Sequence, residues 1–264
     1  MLGRQRHVNM MKAPHWRTDP RLENLPAVIL AGGIGTRLRS MVSDRPKPMA
    51  SVGSRPFLEL QVECLKRQCV RHFVFCVGYL HENIQAHFGD GRDWGVRIDY
   101  SIEEELLGTA GALKQAEKHL RGPFLALNGD SYLNLDLGEL LRFHEQKRAM
   151  DRGTIGTIVL TSAPDAREFG SVGMDAVQRV VSFVEKSDMA NTPTLISAGT
   201  YVFETELLGR IPAGKKVSLE REVFPALLDS GFRLFGYPAK GFFVDIGTPQ
   251  GYRRLQEHIQ GEVA

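Results

Sequence analysis

Residues Ala27 to Met49, AVILAGGIGTRLRSMVSDRPKPM, narrow the choice of fold more than any other stretch of the chain. The run Ala27-Val28-Ile29-Leu30 is wholly apolar, which suits a strand buried on both faces. It breaks into Gly32-Gly33-Ile34-Gly35-Thr36. Glycine admits backbone angles closed to other residues and lets the chain pass close to a ligand. A loop rich in unshielded N–H groups is a cradle for phosphate. Arg37 follows directly, and Lys47 is held between Pro46 and Pro48. The stretch therefore predicts a polyphosphate site at the end of the first strand.

The same alternation continues downstream. Ser54 to Cys69 has an apolar stripe at Leu58, Val62 and Leu65, and Tyr79 to Phe88 and Thr109 to Leu120 also read as helices. Between them, His72 to Val77, Val96 to Ile102 and Pro123 to Leu127 read as strands. Strand and helix in turn imply a parallel sheet with helices on both sides. After a helix over Leu137 to Lys147, strands come in succession at Thr154 to Thr161, Gly170 to Met174, Arg179 to Val184 and Leu195 to Phe203. Helices then follow at Glu204 to Ile211 and Leu219 to Leu228. A last strand, Gly241 to Ile246, leads into Thr248-Pro249, an N-cap and first-turn pair.

The expected fold is a Rossmann-like three-layer α/β/α domain, its mostly parallel sheet joined to a smaller mixed lobe that binds the second substrate. Residues 1–25 are polar and lightly basic and are expected to form a flexible extension. The domain then spans 26–264, with a polyphosphate-binding part over about 26–135 and a second-substrate part over about 136–264.

Two other glycine-loop chemistries fail on the residues present. A Walker A loop needs lysine and then Ser or Thr after its last glycine, where Thr36 and Arg37 stand. The dinucleotide fingerprint needs a third small residue where Leu38 stands. Ligands of open parallel sheets sit at the carboxyl ends of strands, and Asn128-Gly129-Asp130 closes one such strand. Asp130 is placed to hold a hard divalent cation, which favours one or two carboxylates with phosphate oxygens, or else is a turn aspartate. Asp245, at the end of the last strand, is the second carboxylate that a shared metal requires.

A formal net charge of +2 is too small to argue for nucleic acid, and no apolar run approaches the length needed to span a bilayer. Cys64, Cys69 and Cys76 lack zinc spacing and suit reduced thiols in a cytoplasmic protein.

Leu30-Ala31-Gly32-Gly33-x-Gly35-Thr36-Arg37-Leu38 followed by Pro46-Lys47-Pro48-Met49 resembles the signature of the sugar-1-phosphate nucleotidyltransferases. Leu107-Gly108-Thr109-Ala110-Gly111, Asn128-Gly129-Asp130, Glu185-Lys186, Gly199-Thr200-Tyr201 and Asp245-Ile246-Gly247-Thr248-Pro249 continue the likeness across about residues 26 to 260. Within the family, the motifs resemble first the D-glycero-D-manno-heptose 1-phosphate guanylyltransferase group, and next the mannose-1-phosphate guanylyltransferases. With no left-handed β-helix or acyltransferase segment before Ala264, a single activity is expected.

The resemblance implies attack by a sugar 1-phosphate on the α-phosphate of a nucleoside triphosphate, with Mg²⁺ as cofactor and pyrophosphate as leaving group. By likeness, Arg37 holds the pyrophosphate, Lys47 the α-phosphate, and Asp130 and Asp245 the metal. Lys186 receives the sugar phosphate and Glu185 the sugar hydroxyls, with Gly170, Gly199 and Thr200 shaping the sugar loops.

Base choice has its own candidate, Glu103-Glu104-Glu105. Guanine presents adjacent N1–H and N2–H donors that one carboxylate accepts together, and a buried carboxylate rejects bases lacking them. Strand alternation would put Glu103 and Glu105 on one face, with Glu104 in solvent; the bland alternative is an acidic strand end in water. GTP is therefore the expected nucleotide. The runner-up enzyme is a uridylyltransferase acting on N-acetylmuramate 1-phosphate. A rival of another class is a non-catalytic nucleotide-sugar-binding regulator, expected to have lost one of the four charged groups. Oligomeric state, a homodimer included, stays open.

Overall fold

The computed structural model describes residues 18–33, 45–163, 171–184 and 194–263. The first half alternates as expected: β1 (Ala27–Leu30), a short hairpin of β2 (Ser51–Val52) and β3 (Arg55–Pro56), α1 (Phe57–Arg67), β4 (His72–Val77), α2 (His81–Phe88), β5 (Arg97–Ile102), α3 (Gly108–Gln115) and β6 (Phe124–Asn128). β7 (Ser131–Leu133) and α4 (Leu137–Met150) lead into β8 (Thr154–Ala163), β9 (Ser171–Met174), β10 (Val180–Val184) and β11 (Thr194–Phe203). The chain closes through α5 (Phe224–Asp229), β12 (Arg233–Pro238), β13 (Phe243–Asp245) and α6 (Pro249–Val263).

The main sheet runs β10-β9-β11-β6-β1-β4-β5, with β8 paired to β11 and β12 to β8. β6, β1, β4 and β5 are parallel, and β11 joins β6 antiparallel. The mixed half is thus continuous with the parallel half, and the backbone ladder β6–β11 binds them into one body. Alternation along β1 sends Ala27 and Ile29 into one apolar cluster and Val28 into the other. In the same way β4 divides Phe73, Phe75 and Val77 from Val74 and Cys76. Helices α1, α2 and α4 cover the first face, and α3 and α5 the second. Each central strand is buried on both sides, as its lack of polar residues demands.

Three expectations shift. Glu204 to Ile211 is a 3₁₀ segment, Thr205–Arg210, and not an α-helix. The final strand pairs with β7, apart from the main sheet. β7 follows the Gly129-Asp130 corner and is three residues long, too short for periodicity to reveal. Packing also begins ahead of Pro26. Asp19 accepts a hydrogen bond from the Arg21 N–H at 3.1 Å and caps a 3₁₀ turn, Pro20–Asn24, that buries Leu22 completely.

Candidate active site

Register aligns the strand ends that matter. Leu30 lies beside Cys76 on one side and Asn128 on the other. The chain leaves β1 with the Ala31 N–H donating to the Cys76 carbonyl at 2.8 Å, while Gly129 donates to Leu30 at 2.9 Å. Across this edge stand, in order, Glu103 after β5, Gly78 after β4, Gly32 after β1, Gly129 after β6, and Gly199 within β11. Close contact calls for glycine at Gly129 and Gly199, as it does at Gly32. A Cβ on Gly129 would lie 2.7 Å from the Leu30 carbonyl oxygen. Gly199 has φ +67° and would meet the Asn128 amide at 2.6 Å. Thr200 beside it is buried opposite Leu127.

Three charged side chains converge at one end of this row. Lys47 Nζ lies 2.6 Å from Asp130 Oδ2 and 3.9 Å from Asp245 Oδ1. The Lys47 side chain is only 11% exposed, against 33% and 16% for the two carboxylates. An apolar bolt brings them together from three distant parts of the sequence. Ala50, Val52, Phe57 and Leu60 after Lys47, Tyr132 after Asp130, and Val244 and Ile246 around Asp245 form one buried cluster with Tyr252 and Leu255 of α6. β7 and β13 pair so that Asp245 sits opposite Ser131, and the Ile246 N–H donates to the Asp130 carbonyl at 2.8 Å. Gly251 of α6 packs directly on the Asp245 carbonyl, where a Cβ would overlap at 1.9 Å. The Thr248 hydroxyl accepts from the Gly251 N–H at 3.1 Å and caps the helix.

Glu103 is 8% exposed at the other end. Its backbone N–H donates to Val77 at 2.7 Å, and its Oε2 accepts from the Leu107 N–H at 3.0 Å. Its Oε1 lies against Gly32, where a Cβ would come within 2.3 Å. Burial raises the Glu103 carboxyl above the ordinary carboxylate range, against the opposing pull of the Leu107 N–H. Glu104 and Glu105 are both exposed. The expected common face of Glu103 and Glu105 does not form, because β5 ends at Ile102 and the backbone bends over 104–105.

Gly108, at φ +71°, starts α3 against Val217, whose N–H donates to Leu107. The Thr109 hydroxyl donates to Glu220 at 3.2 Å and accepts from the Leu219 N–H at 2.8 Å. Glu220 also accepts from the buried Tyr201 hydroxyl at 3.0 Å.

Sequence reasoning named neither Glu220 nor Gln61 among the site residues. Gln61 is a 5% exposed amide on the apolar face of α1. Its Nε2 donates to the carbonyls of Asn128 at 3.0 Å and Ser131 at 2.8 Å, straddling Asp130. A polar residue within the Leu58/Val62/Leu65 stripe was the available signal. Arg37, Gly35, Thr36, Gly170, Glu185 and Lys186 lie outside the described residues. Gly33, Leu30 and Ala31 sit at the β1 end as the motif expects.

Among the described residues no group of three or more His, Cys, Asp and Glu side chains forms a metal cage. Asp130 and Asp245 supply two hard oxygen donors around one ammonium, a set that fits a cation completing its shell with phosphate oxygens and water. Among those residues no helix is long and apolar enough to cross a membrane.

This fold and this row of strand ends define a nucleotidyltransferase: residues 26–262 match the family described as Nucleotidyl transferase, and the chain belongs to it. Its relatives include guanylyltransferases of sugar 1-phosphates. The mannose-1-phosphate guanylyltransferase of Mycobacterium tuberculosis is 40% identical over 230 residues, 86% of this chain and 62% of that protein, so this chain spans less than two thirds of that relative. The D-glycero-alpha-D-manno-heptose 1-phosphate guanylyltransferase of Campylobacter jejuni is 34% identical over 231 residues, 86% of this chain and 97% of that one. The crystal structure of HddC from Yersinia pseudotuberculosis complexed with GMP-PN superimposes with a TM-score of 0.74 at 31% identity, covering 89% and 99% of the two chains.

Proposed function

We propose that this protein transfers GMP from GTP to a sugar 1-phosphate, yielding a GDP-sugar and pyrophosphate. D-glycero-D-manno-heptose 1-phosphate is the preferred acceptor in this reading, because heptose relatives match nearly end to end. Mannose 1-phosphate is the second reading, favoured by the 40% identity to the mycobacterial enzyme. The observation that carries the proposal is the convergence of Lys47, Asp130 and Asp245 beside the glycine edge, with a buried carboxylate at the far end of the same row.

The chemistry asks for little else. The acceptor oxygen is already anionic, so no general base is needed; the protein must hold two anions together and align an in-line displacement. The bond from the sugar-phosphate oxygen to Pα forms as the Pα–O bond to pyrophosphate breaks. Lys47 neutralises the α-phosphate from a site that keeps most water away. Asp130 and Asp245 would hold Mg²⁺, which supplies further neutralisation of phosphate charge. Arg37 would hold the departing pyrophosphate, Lys186 the sugar phosphate and Glu185 the hydroxyls, on the family's pattern. Glu103 reads guanine through its N1–H and N2–H. The cytoplasm, where GTP is made, is the proposed compartment.

The test crosses GTP, UTP, ATP and dTTP with heptose, mannose, glucose and N-acetylmuramate 1-phosphates and follows pyrophosphate release. Release with GTP and heptose or mannose 1-phosphate, lost in Asp130→Asn, is expected. Equal turnover of UTP overturns the guanylyl assignment, and no release with any pair supports the regulator reading.

A further inference from the structure

The amino ends of the parallel strands form a second concavity, on the opposite edge of the sheet from Lys47 and Glu103. A cavity of about 570 Å³ opens there. Its floor is Pro26 before β1, His72 at the start of β4, Arg97 at the start of β5 and Pro123 before β6. One wall is α4 and the other is the 116–123 segment. That volume falls in the range of small-molecule pockets.

Cations outnumber carboxylates along its lining. Arg21, Arg97, Lys118, Arg121 and Arg148 line it, against Glu145 and Glu204. Three of these cations are set in place by carboxylates. Arg21 is held by Asp19 and Glu145, Arg97 by Asp99 at 2.7 Å, and Arg148 by Glu204 and Glu206 at 3.5 and 2.8 Å. Lys118 and Arg121 pair with no carboxylate among the described residues. They project from one short segment at the mouth, both exposed. Burial first, then the positive charges of Lys118, His72 and Arg97, hold the His119 imidazole below its ordinary range despite Asp99. Lys118 and Arg121 are therefore the cations this concavity leaves for a ligand, beside apolar ground at Leu25 and Leu141. Positive clefts with low-dielectric walls concentrate small anions.

We propose that this cavity binds a small phosphorylated molecule, with Lys118 and Arg121 engaging its phosphate groups and the apolar ground at Leu25 and Leu141 taking its body. A polynucleotide is disfavoured by the small volume of about 570 Å³ and by a whole-chain charge of only +2. The site lies a full strand length from the candidate active site, so its ligand does not compete there for the same groups.

Hydrogen exchange separates the two sites. Metal-free pyrophosphate, with inorganic phosphate as a second arm, is titrated into the full chain and into the Lys118→Glu/Arg121→Glu variant. Peptides over 18–26 and 116–124 are expected to slow saturably in the parent, by about tenfold once pyrophosphate exceeds its dissociation constant about tenfold. They should stay unchanged in the variant, whose two substitutions lie on exposed positions and spare the core. No saturable slowing, or equal slowing in the variant, overturns the proposal. Peptides over 45–50 and 128–131 report the active-site reading independently, so either idea can fail alone. Loss of the 18–26 and 116–124 protection in high salt is expected as well.

Discussion

Lys47 Nζ stands 2.6 Å from Asp130 Oδ2 although 82 residues of chain separate them, and Asp245 joins the same ammonium from 3.9 Å. One cation thus holds apart two carboxylates that would otherwise face each other. Replacing Lys47 with Ala is expected to lower turnover by about 10²–10³-fold, the usual cost of removing one charge-stabilising donor. It should also lower the melting temperature in metal-free buffer, since like charges are left together. Added Mg²⁺ should raise that temperature more in Lys47→Ala than in the parent, because no ammonium competes for the carboxylates. Differential scanning fluorimetry with and without Mg²⁺ reads this directly.

Gln61 fixes the corner that carries Asp130. Gln61→Leu keeps the volume but leaves the Asn128 and Ser131 carbonyls without their side-chain donor. The expected loss is about 1–3 kcal/mol of stability by denaturant titration. Because Asp130 is then misplaced and not removed, kcat should fall while KM for GTP changes little, a split that a merely structural amide would not give.

Glu103→Gln puts an amide NH2, itself a donor, where a carboxylate oxygen would accept from guanine. The preference for GTP over UTP is expected to fall by about a hundredfold. Glu105→Gln, on an exposed residue, should leave the preference intact. Parallel kcat/KM measurements with both nucleotides compare the two.

The same residue sets a pH dependence of stability. Burial raises the folded-state Glu103 pKa, so its ionised form disfavours the fold, and the penalty grows as pH rises from the unfolded carboxyl value toward the folded one. Glu103→Gln should therefore melt above the parent at neutral pH, and the difference should vanish below the ordinary carboxylate pKa. A constant difference across pH contradicts the assignment.

Much of this was legible in the sequence because the decisive residues punctuate strands. Apolar runs located β1, β4 and β6, and the glycines after β1 and the Gly129-Asp130 pair after β6 marked the ligand edge. What the sequence hid depends on contacts between distant segments. The β7–β13 pairing that seats Asp130 beside Asp245 involves strands of three residues each. β12 was invisible because Gly236 and Pro238 interrupt its pattern. Alternation misassigned Glu105, since a strand's period means nothing once the strand has ended. Gln61 and Glu220 act through partners that no local pattern reveals.

The most direct test of the central claim follows the α-phosphorus of radiolabelled GTP in the presence of heptose or mannose 1-phosphate. The label should move into a GDP-sugar with the parent protein and stay in GTP with Asp130→Asn. Label released as free GMP, or transferred equally well by Asp130→Asn, would contradict a crevice in which Lys47, Asp130 and Asp245 join two phosphate esters.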